Sequence, residues 1–462
     1  MNATEHSQVI VVGGGIAGLT AAHILKRHGI ATQVIEATGR VGGRMTSDVV
    51  DGHVVDRGAQ FLSTGYSVIF GLLEDLGISQ RIRQTSRYSA TVREGKARVM
   101  RTGSVFEPLT SGLLSLPAWI KLGWKALPLD ARFRHLSLSD YSQWVAFDTE
   151  STATWSDRDI AAEVTEYVYE PMLQGFYFQS PEEASKALAL ALTAFGMRRA
   201  KILSLEGGLG SLPEELAREL NITLDTAVRS INVREAKVWV ETSAGTLTAD
   251  RVILAVPAPV ARAIMADPVD DLTGRLLATP YSASINVACM TDADFRLPDN
   301  LKDIYGILIP RKERLCVAAI GIENNKNRNP AIGSHLLNIM FSSESAHQLM
   351  SASDAEIVET AVRSAANLLP SLAQHLADSR VYRWPMAEPH SMVGRASDLA
   401  RYRAHCAVAP SPVILAGDYM SMPYTDGAAE SGAWAARLIA AAFNPDLAPA
   451  TIRGIARRGG IK

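Results

Sequence analysis

The stretch Val9-Ile-Val-Val-Gly13-Gly-Gly15-Ile-Ala-Gly18, with the apolar-periodic run to His28 and then Gln33-Val-Ile-Glu36, decides the fold. Four apolar β-formers end at Gly13, a helix pattern opens at Ile16 and Ala17, and a second short apolar run closes on an acid. That is the order of a βαβ unit. In such a turn Gly13 makes the tight bend off the strand, Gly15 lets backbone approach a pyrophosphate, and Gly18 lets helix pack on sheet. Phosphates then sit over a helix N-terminus, where unpaired N–H groups and the helix dipole favour negative charge. Glu36, at the tip of the second strand, accepts hydrogen bonds from ribose hydroxyls and repels the extra phosphate of NADP, so the expected ligand is FAD or NAD.

Arg40-Val-Gly42-Gly43-Arg44 separates these two. A nicotinamide site needs no further glycine pair directly after the acid. Here two cations and two permissive backbone positions stand just beyond the ribose, where a second stretch of pyrophosphate and ribityl chain can run. FAD is the expected cofactor.

The chain has 462 residues, 47% of them hydrophobic and 20% charged, enough to bury large cores in two domains. Its 46 basic and 48 acidic side chains leave a net charge of −2, which gives no electrostatic case for nucleic acid. Only the tail Arg453, Arg457, Arg458 and Lys462 is locally basic, and it reads as a frayed, solvated end. The polar run Met1 to Gln8 leads straight into the first strand, so no signal peptide is expected, and no run of eighteen apolar residues predicts a transmembrane segment. Cys289, Cys316 and Cys406 are odd in number and widely spaced, which suits a reducing cytoplasm and predicts no metal site.

The fold class expected is α/β, a Rossmann-type cofactor domain interleaved with an α+β substrate-binding domain. Residues 1–80, 201–268 and 385–462 are assigned to the first, residues 81–200 and 269–384 to the second. Asp51-Gly52 signals a two-residue hairpin. Thr64 is placed as the cap of a helix over Tyr66 to Leu76, and Ser211 with Glu214 as a capping box. Ser185 to Met197 reads as a buried helix, and Ala227 to Pro257 as a β-meander returning to the parent sheet.

Near the end of the chain, Val413-Ile-Leu-Ala-Gly417-Asp418 is a short strand closing on Gly-Asp, and Gly427-Ala428 opens a helix of small residues. Asp418 is placed to hold a ribityl hydroxyl, and the helix N-terminus to put N–H dipoles at the flavin C2 carbonyl, where reduction leaves negative charge. The bland alternative is that the small residues only allow close helix packing.

With these motifs in order, the chain resembles the flavin-containing amine oxidase and protoporphyrinogen oxidase superfamily over essentially its whole length. The resemblance is carried by Gly13 to Gly18, Glu36-Ala37, Arg40 to Arg44, Asp56-Arg-Gly58-Ala59, Gly207-Gly208, Asp250 to Pro257, Gly417-Asp418 and Gly427-Ala428. It implies an FAD-dependent oxidoreductase, with Ala37, Gly58, Ala59 and Gln60 at the cofactor and Val228 meeting the adenine through its backbone. Amine oxidases of the superfamily commonly carry a lysine near flavin N5; Asn286 stands at the best counterpart here and cannot supply that charge. Tyr424 takes the place of one wall of an aromatic cage, with Trp384 the one aromatic in the Arg383 to Ser391 stretch expected to face it. Glu170-Pro171 to Tyr177 and Tyr281-Ser-Ala-Ser-Ile favour the protoporphyrinogen-oxidase-like branch.

The flavin is therefore expected to take a hydride from a C–H beside nitrogen, or in an activated ring, of a small and largely apolar substrate, with O₂ as the acceptor. No cysteine lies between Trp384 and Arg395, so FAD is expected without a covalent bond. Tyr424, Trp384 and Asn286 are the candidate catalytic residues. An amine oxidase proper is the nearest alternative. A non-catalytic escort protein on the same fold is opposed by the intact Glu36, Arg40 and Gly42-Gly43-Arg44, and a flavin monooxygenase by the lack of a second nucleotide fingerprint. Trp119 and Trp124 beside Lys121 and Lys125 allow peripheral membrane contact, though a short stretch with two cations better suits a packed helix.

Overall fold

The computed structural model describes residues 6–444 apart from 102, 103, 105, 236, 266–269 and 327–332. The basic tail and residues 1–5 lie outside the described residues, and so do the side chains of 126–131.

One sheet is built around His6–Val12. It pairs in parallel with Thr32–Ile35 on one side and Gly245–Leu254 on the other, and Asn221–Thr223 extends the first edge. Gly245–Leu254 also takes Val413–Leu415 in parallel and closes the antiparallel meander with Lys237–Thr242 and Val228–Arg234. Val9 to Val12 are at most 3% exposed, as a strand covered on both faces requires. Helix Ile16–Arg27 follows the glycine turn and packs against helix Thr425–Phe443. A Cβ on Gly432 would stand 2.0 Å from the Ala17 carbonyl, so the bland reading of the small residues holds at that position.

A second sheet runs in the order Leu376–Trp384, Ser284–Thr291, Leu336–Phe341, Val317–Ile322, Ile304–Leu308, Tyr88–Arg93, Lys96–Arg101. All its pairings are antiparallel except Ile304–Leu308 with Tyr88–Arg93. All eight residues of Ser284–Thr291 are buried, which is why that strand shows no alternation in the sequence. The hairpin of Ser47–Val50 and His53–Asp56 turns through Asp51 and Gly52, both at positive φ.

Two capping expectations are corrected. The helix near Thr64 is Val68–Asp75, and its N-terminal N–H groups at Ser67 and Ile69 are taken by Asp426 at 2.9 and 2.7 Å, from the other end of the sequence. Ser211 is the first residue of Ser211–Ala217 and not its cap; its hydroxyl donates to the Gly208 carbonyl. Helix Lys186–Met197 is capped by Ser185, whose hydroxyl accepts from Ala187 N–H. In helix Leu116–Phe133, Trp119 is half-buried against Phe106, while Leu116, Ile120 and Trp124 face outward, Trp124 at 79% exposure. Among the described residues no helix is long and apolar enough to cross a membrane.

Candidate active site: two cavities with one wall

The glycine turn builds the floor of a cavity of about 520 Å³. Gly13 adopts a φ of 105°, and a Cβ there would stand 2.6 Å from the Ala255 carbonyl; on Gly18 it would stand 2.0 Å from that of Gly13. Gly18 thus serves packing and does not line the cavity. At Gly15 a Cβ would meet nothing within 4 Å, so the turn is open on its cavity side, and the helix it starts has no side-chain cap. Free N–H groups facing an open floor fit a pyrophosphate.

Around that floor stand Gly13, Gly15, Ile16, Ala17, Glu36, Ala37, Arg40, Gly42, Gly43, Arg44, Val228, Gly417, Asp418 and Ala428. Gly42 donates its N–H to the Gly14 carbonyl at 2.8 Å, which folds the second glycine motif over the first. Glu36 accepts from Gly14 N–H at 2.7 Å and from Thr38 N–H at 2.9 Å and also faces the cavity, leaving lone pairs for ribose hydroxyls. Gly427 is not on the wall. A Cβ there would stand 2.1 Å from the Met422 carbonyl, so glycine is needed for the tight approach of the helix's own N-terminus.

A second cavity, of about 360 Å³, lies beside the first. Tyr66, Tyr177, Phe195 and Tyr424 line it, and Tyr66 stacks on Tyr424 with centroids 5.4 Å apart and planes 5° apart. Phe195 meets Tyr424 edge-on at 5.9 Å, and the Tyr424 hydroxyl donates to the Leu138 carbonyl. Burial, reinforced by Tyr177 and Tyr66, pushes the Tyr424 phenol well above its usual range, so it stays neutral. Helix Glu170–Tyr177 supplies Met172, Gly175, Phe176 and Tyr177 to the same cavity.

Both cavities are lined by Gly58, Ala59, Gln60, Phe178, Met340, Glu388, Tyr424 and Thr425. The segment before Gly58 is fixed from behind. Lys326 sits 2.7 Å from both Asp56 and Glu323, with all three side chains at most 3% exposed. Gln60 donates to the Asp56 and Gly58 carbonyls and accepts from Asn338 at 3.0 Å. Asn286 lines the first cavity and reaches the Asp56 and Arg57 carbonyls at 3.4 Å.

The structure corrects the placement of Trp384. Its indole N–H donates to the Arg57 carbonyl at 2.9 Å and its ring lines the first cavity, not the aromatic one. The ring facing Tyr424 is Tyr66, from a loop near residue 65 that spacing to the flavin motifs could not reveal.

Arg44 reaches Asp418 at 2.5 Å and the Ala387 carbonyl at 2.7 Å, and Tyr281 donates its hydroxyl to Asp418 at 2.8 Å. Burial works against the Arg44 charge, but Asp418 and Tyr281 outweigh it and hold the guanidinium above its usual range. Burial pushes the Glu388 carboxyl well above the carboxylate range; Arg44 opposes this and Asp418 adds to it. Glu388 was missed in the sequence. Its sequence signal is an acid inside the Trp384 to Ser391 stretch.

A cavity floored by a dinucleotide-type glycine turn thus shares a wall with an aromatic cavity. The chain belongs to the flavin containing amine oxidoreductase family, whose model matches residues 16–440. It is 31% identical over 189 residues to protoporphyrinogen oxidase 2 of Arabidopsis thaliana, an alignment covering 40% of this chain and 35% of that enzyme. It is 28% identical over 243 residues to putrescine oxidase of Kocuria rosea, covering 48% of each. The chain thus spans between a third and a half of the length of these relatives. The structure of cyclohexylamine oxidase from Brevibacterium oxydans IH-35A shares the fold with a TM-score of 0.74 at 18% identity, over 95% of this chain and 99% of that one. The open glycine floor, Glu36 and the arginine pair fit FAD as the cofactor.

Proposed function

We propose that the enzyme oxidises a small, largely apolar molecule at a C–H bond beside nitrogen, with FAD in the glycine-floored cavity and the substrate in the aromatic one. The observation that carries this reading is the shared wall, since it makes one meeting place for a ring in the first cavity and a carbon in the second. Bound FAD supplies the hydride-accepting centre. The chain's own residues do the rest. Gly15 and the helix start bind phosphate, Glu36 the ribose, and Arg40, Gly42, Gly43 and Arg44 the second stretch of the dinucleotide.

The stacked pair Tyr66 and Tyr424 forms one aromatic wall against which the substrate is oriented, and the apolar lining excludes water. Asn286 holds the wall segment through Asp56 and Arg57 carbonyls and Trp384 braces it at Arg57, so both are positioning residues in this proposal. Dioxygen is the proposed acceptor. A cytoplasmic location suits three unpaired thiols, and the division into two interleaved domains follows the two sheets.

An anaerobic panel of nitrogen-bearing substrates tests this. At least one should bleach the yellow protein under nitrogen, and air should restore the colour. Bleaching by dithionite but by no such substrate would retire the proposal.

A further inference from the structure

We infer that Gly306 is a specificity-determining residue of the aromatic cavity, its missing side chain leaving a slot that takes a planar aromatic group carried at a distance from the cofactor wall. This rests on the reading that the substrate occupies that cavity, and adds the shape of group that is selected there.

The glycines on this cavity are glycine for different reasons. A Cβ on Gly58 would stand 2.4 Å from the Arg44 carbonyl, on Gly175 2.5 Å from the Leu308 side chain, and on Gly321 2.7 Å from the Glu323 carboxyl, so packing inside the protein accounts for all three. Gly196 is an exposed residue in the last turn of Lys186–Met197. Gly306 lies in the interior of strand Ile304–Leu308, with φ outside the left-handed region, and a Cβ there would meet nothing within 4 Å. Neither its backbone nor its neighbours require glycine, and glycine weakens a strand interior. The open space in front of it belongs to the cavity.

Gly306 is paired with Ser89 on one side and with Gly321 on the other, and Gly321 is paired with Asn338. Asn338 donates to Gln60, which stands on the wall shared with the cofactor cavity. Opposite residues of neighbouring strands share a face, so these positions form one line across the sheet. At about 4.8 Å per strand, Gly306 lies about 10 Å along that line from Asn338.

Leu308, two residues on, faces the same way, and helix Glu170–Tyr177 rests on it at Gly175. At Gly306 the side chain that would fill the same layer is missing, so a gap the depth of a side chain stays open between the sheet and the helix residues Met172 and Phe176. Phe176 meets Phe61 edge-on at 5.4 Å, and both line the cavity. A gap floored by bare peptide planes and walled by rings fits an aromatic ring, which covers a glycine in a sheet as a neighbouring side chain does. Leu308 and Ala319 beside it are apolar, so the group is taken without charge.

The test uses the FAD-loaded enzyme with benzamide, 4-phenylbenzamide and 4-cyclohexylbenzamide, none of which carries a C–H beside nitrogen to lose. Binding is read by titration calorimetry. Wild type should bind the flat 4-phenylbenzamide at least about fivefold more tightly than either of the others. In Gly306→Val, 4-phenylbenzamide should bind at least about tenfold more weakly while benzamide changes less than about twofold. Gly306→Ala should fold at least as stably as wild type, since the backbone suits any residue. A wild-type enzyme without the preference for the flat ligand, equal loss of both ligands, unchanged 4-phenylbenzamide binding, or a lower Tm in Gly306→Ala would overturn the inference. Should Gly306→Val fail to hold FAD, Gly306→Ala is titrated instead and must weaken 4-phenylbenzamide more than benzamide. Bleaching by benzylamine under nitrogen reports separately. If it occurs without a preference for the flat ligand, the proposed function stands and the role of Gly306 falls; if the preference and its loss are seen while no nitrogen-bearing substrate bleaches the flavin, the reverse holds.

Discussion

Replacing Lys326 with Met should destabilise the enzyme strongly and loosen the cofactor wall. Lys326 lies 2.7 Å from Asp56 and 2.7 Å from Glu323, fully out of water, and the Asp56 carboxylate also accepts from Ser47 and from Leu209 N–H at 2.8 Å. Removing the cation leaves two buried carboxyls facing one another, and breaking such a set by deleting one partner costs about 3–5 kcal/mol. For a cooperative unit of about 150–250 residues each kcal/mol moves Tm by about 2–4 °C, so the fall should be roughly 6–20 °C.

The pH dependence has a fixed sign. Burial already holds Glu323 above the usual carboxylate range, against the pull of Lys326. Without the lysine the Glu323 carboxyl rises further, so the folded variant binds more protons than the unfolded chain and gains stability as pH falls. The gap from wild type should narrow between about pH 8 and pH 5. Differential scanning fluorimetry across that range, with FAD retention after dialysis, reads both effects. A variant as stable as wild type at pH 8, or a gap that widens on acidification, would refute the reasoning.

Glu36→Ala should weaken FAD binding at least about tenfold, since it removes charge-assisted hydrogen bonds of about 1.5–3 kcal/mol each at best; unchanged FAD retention on dialysis would oppose the role. Tyr424→Phe should keep most activity and Tyr424→Ala lose about tenfold in kcat/KM, because an aromatic wall adds roughly 0.5–1.5 kcal/mol beyond its area; equal damage from both would mean that the hydroxyl matters. Acid precipitation should release all the flavin as FAD, and colour left in the pellet would show a covalent bond.

The cofactor cavity was legible because glycine spacing reports backbone geometry. Gly13, Gly15, Glu36 and Gly42-Gly43 each mark a place where chain direction and ligand contact are settled within a few residues. The aromatic cavity was not. Tyr66 meets Tyr424, and Asp426 caps the helix at Ser67, across more than 350 residues, and no local pattern records such pairings. Gly427 and Gly18 show the limit of motif reading from the other side, since both are glycine for steric reasons within the protein and not for contact with a ligand. Trp384 stands in the stretch expected to face Tyr424, but its indole N–H turns to the Arg57 carbonyl, a contact that sequence spacing does not record.

The most direct test of the account is stopped-flow reduction of the FAD enzyme under nitrogen by saturating benzylamine and by its α,α-dideuterated form. Hydride loss from the carbon beside nitrogen predicts slower bleaching with deuterium, a primary isotope effect. Equal rates for the two, or no bleaching by either while the flavin remains reducible by dithionite, would contradict it.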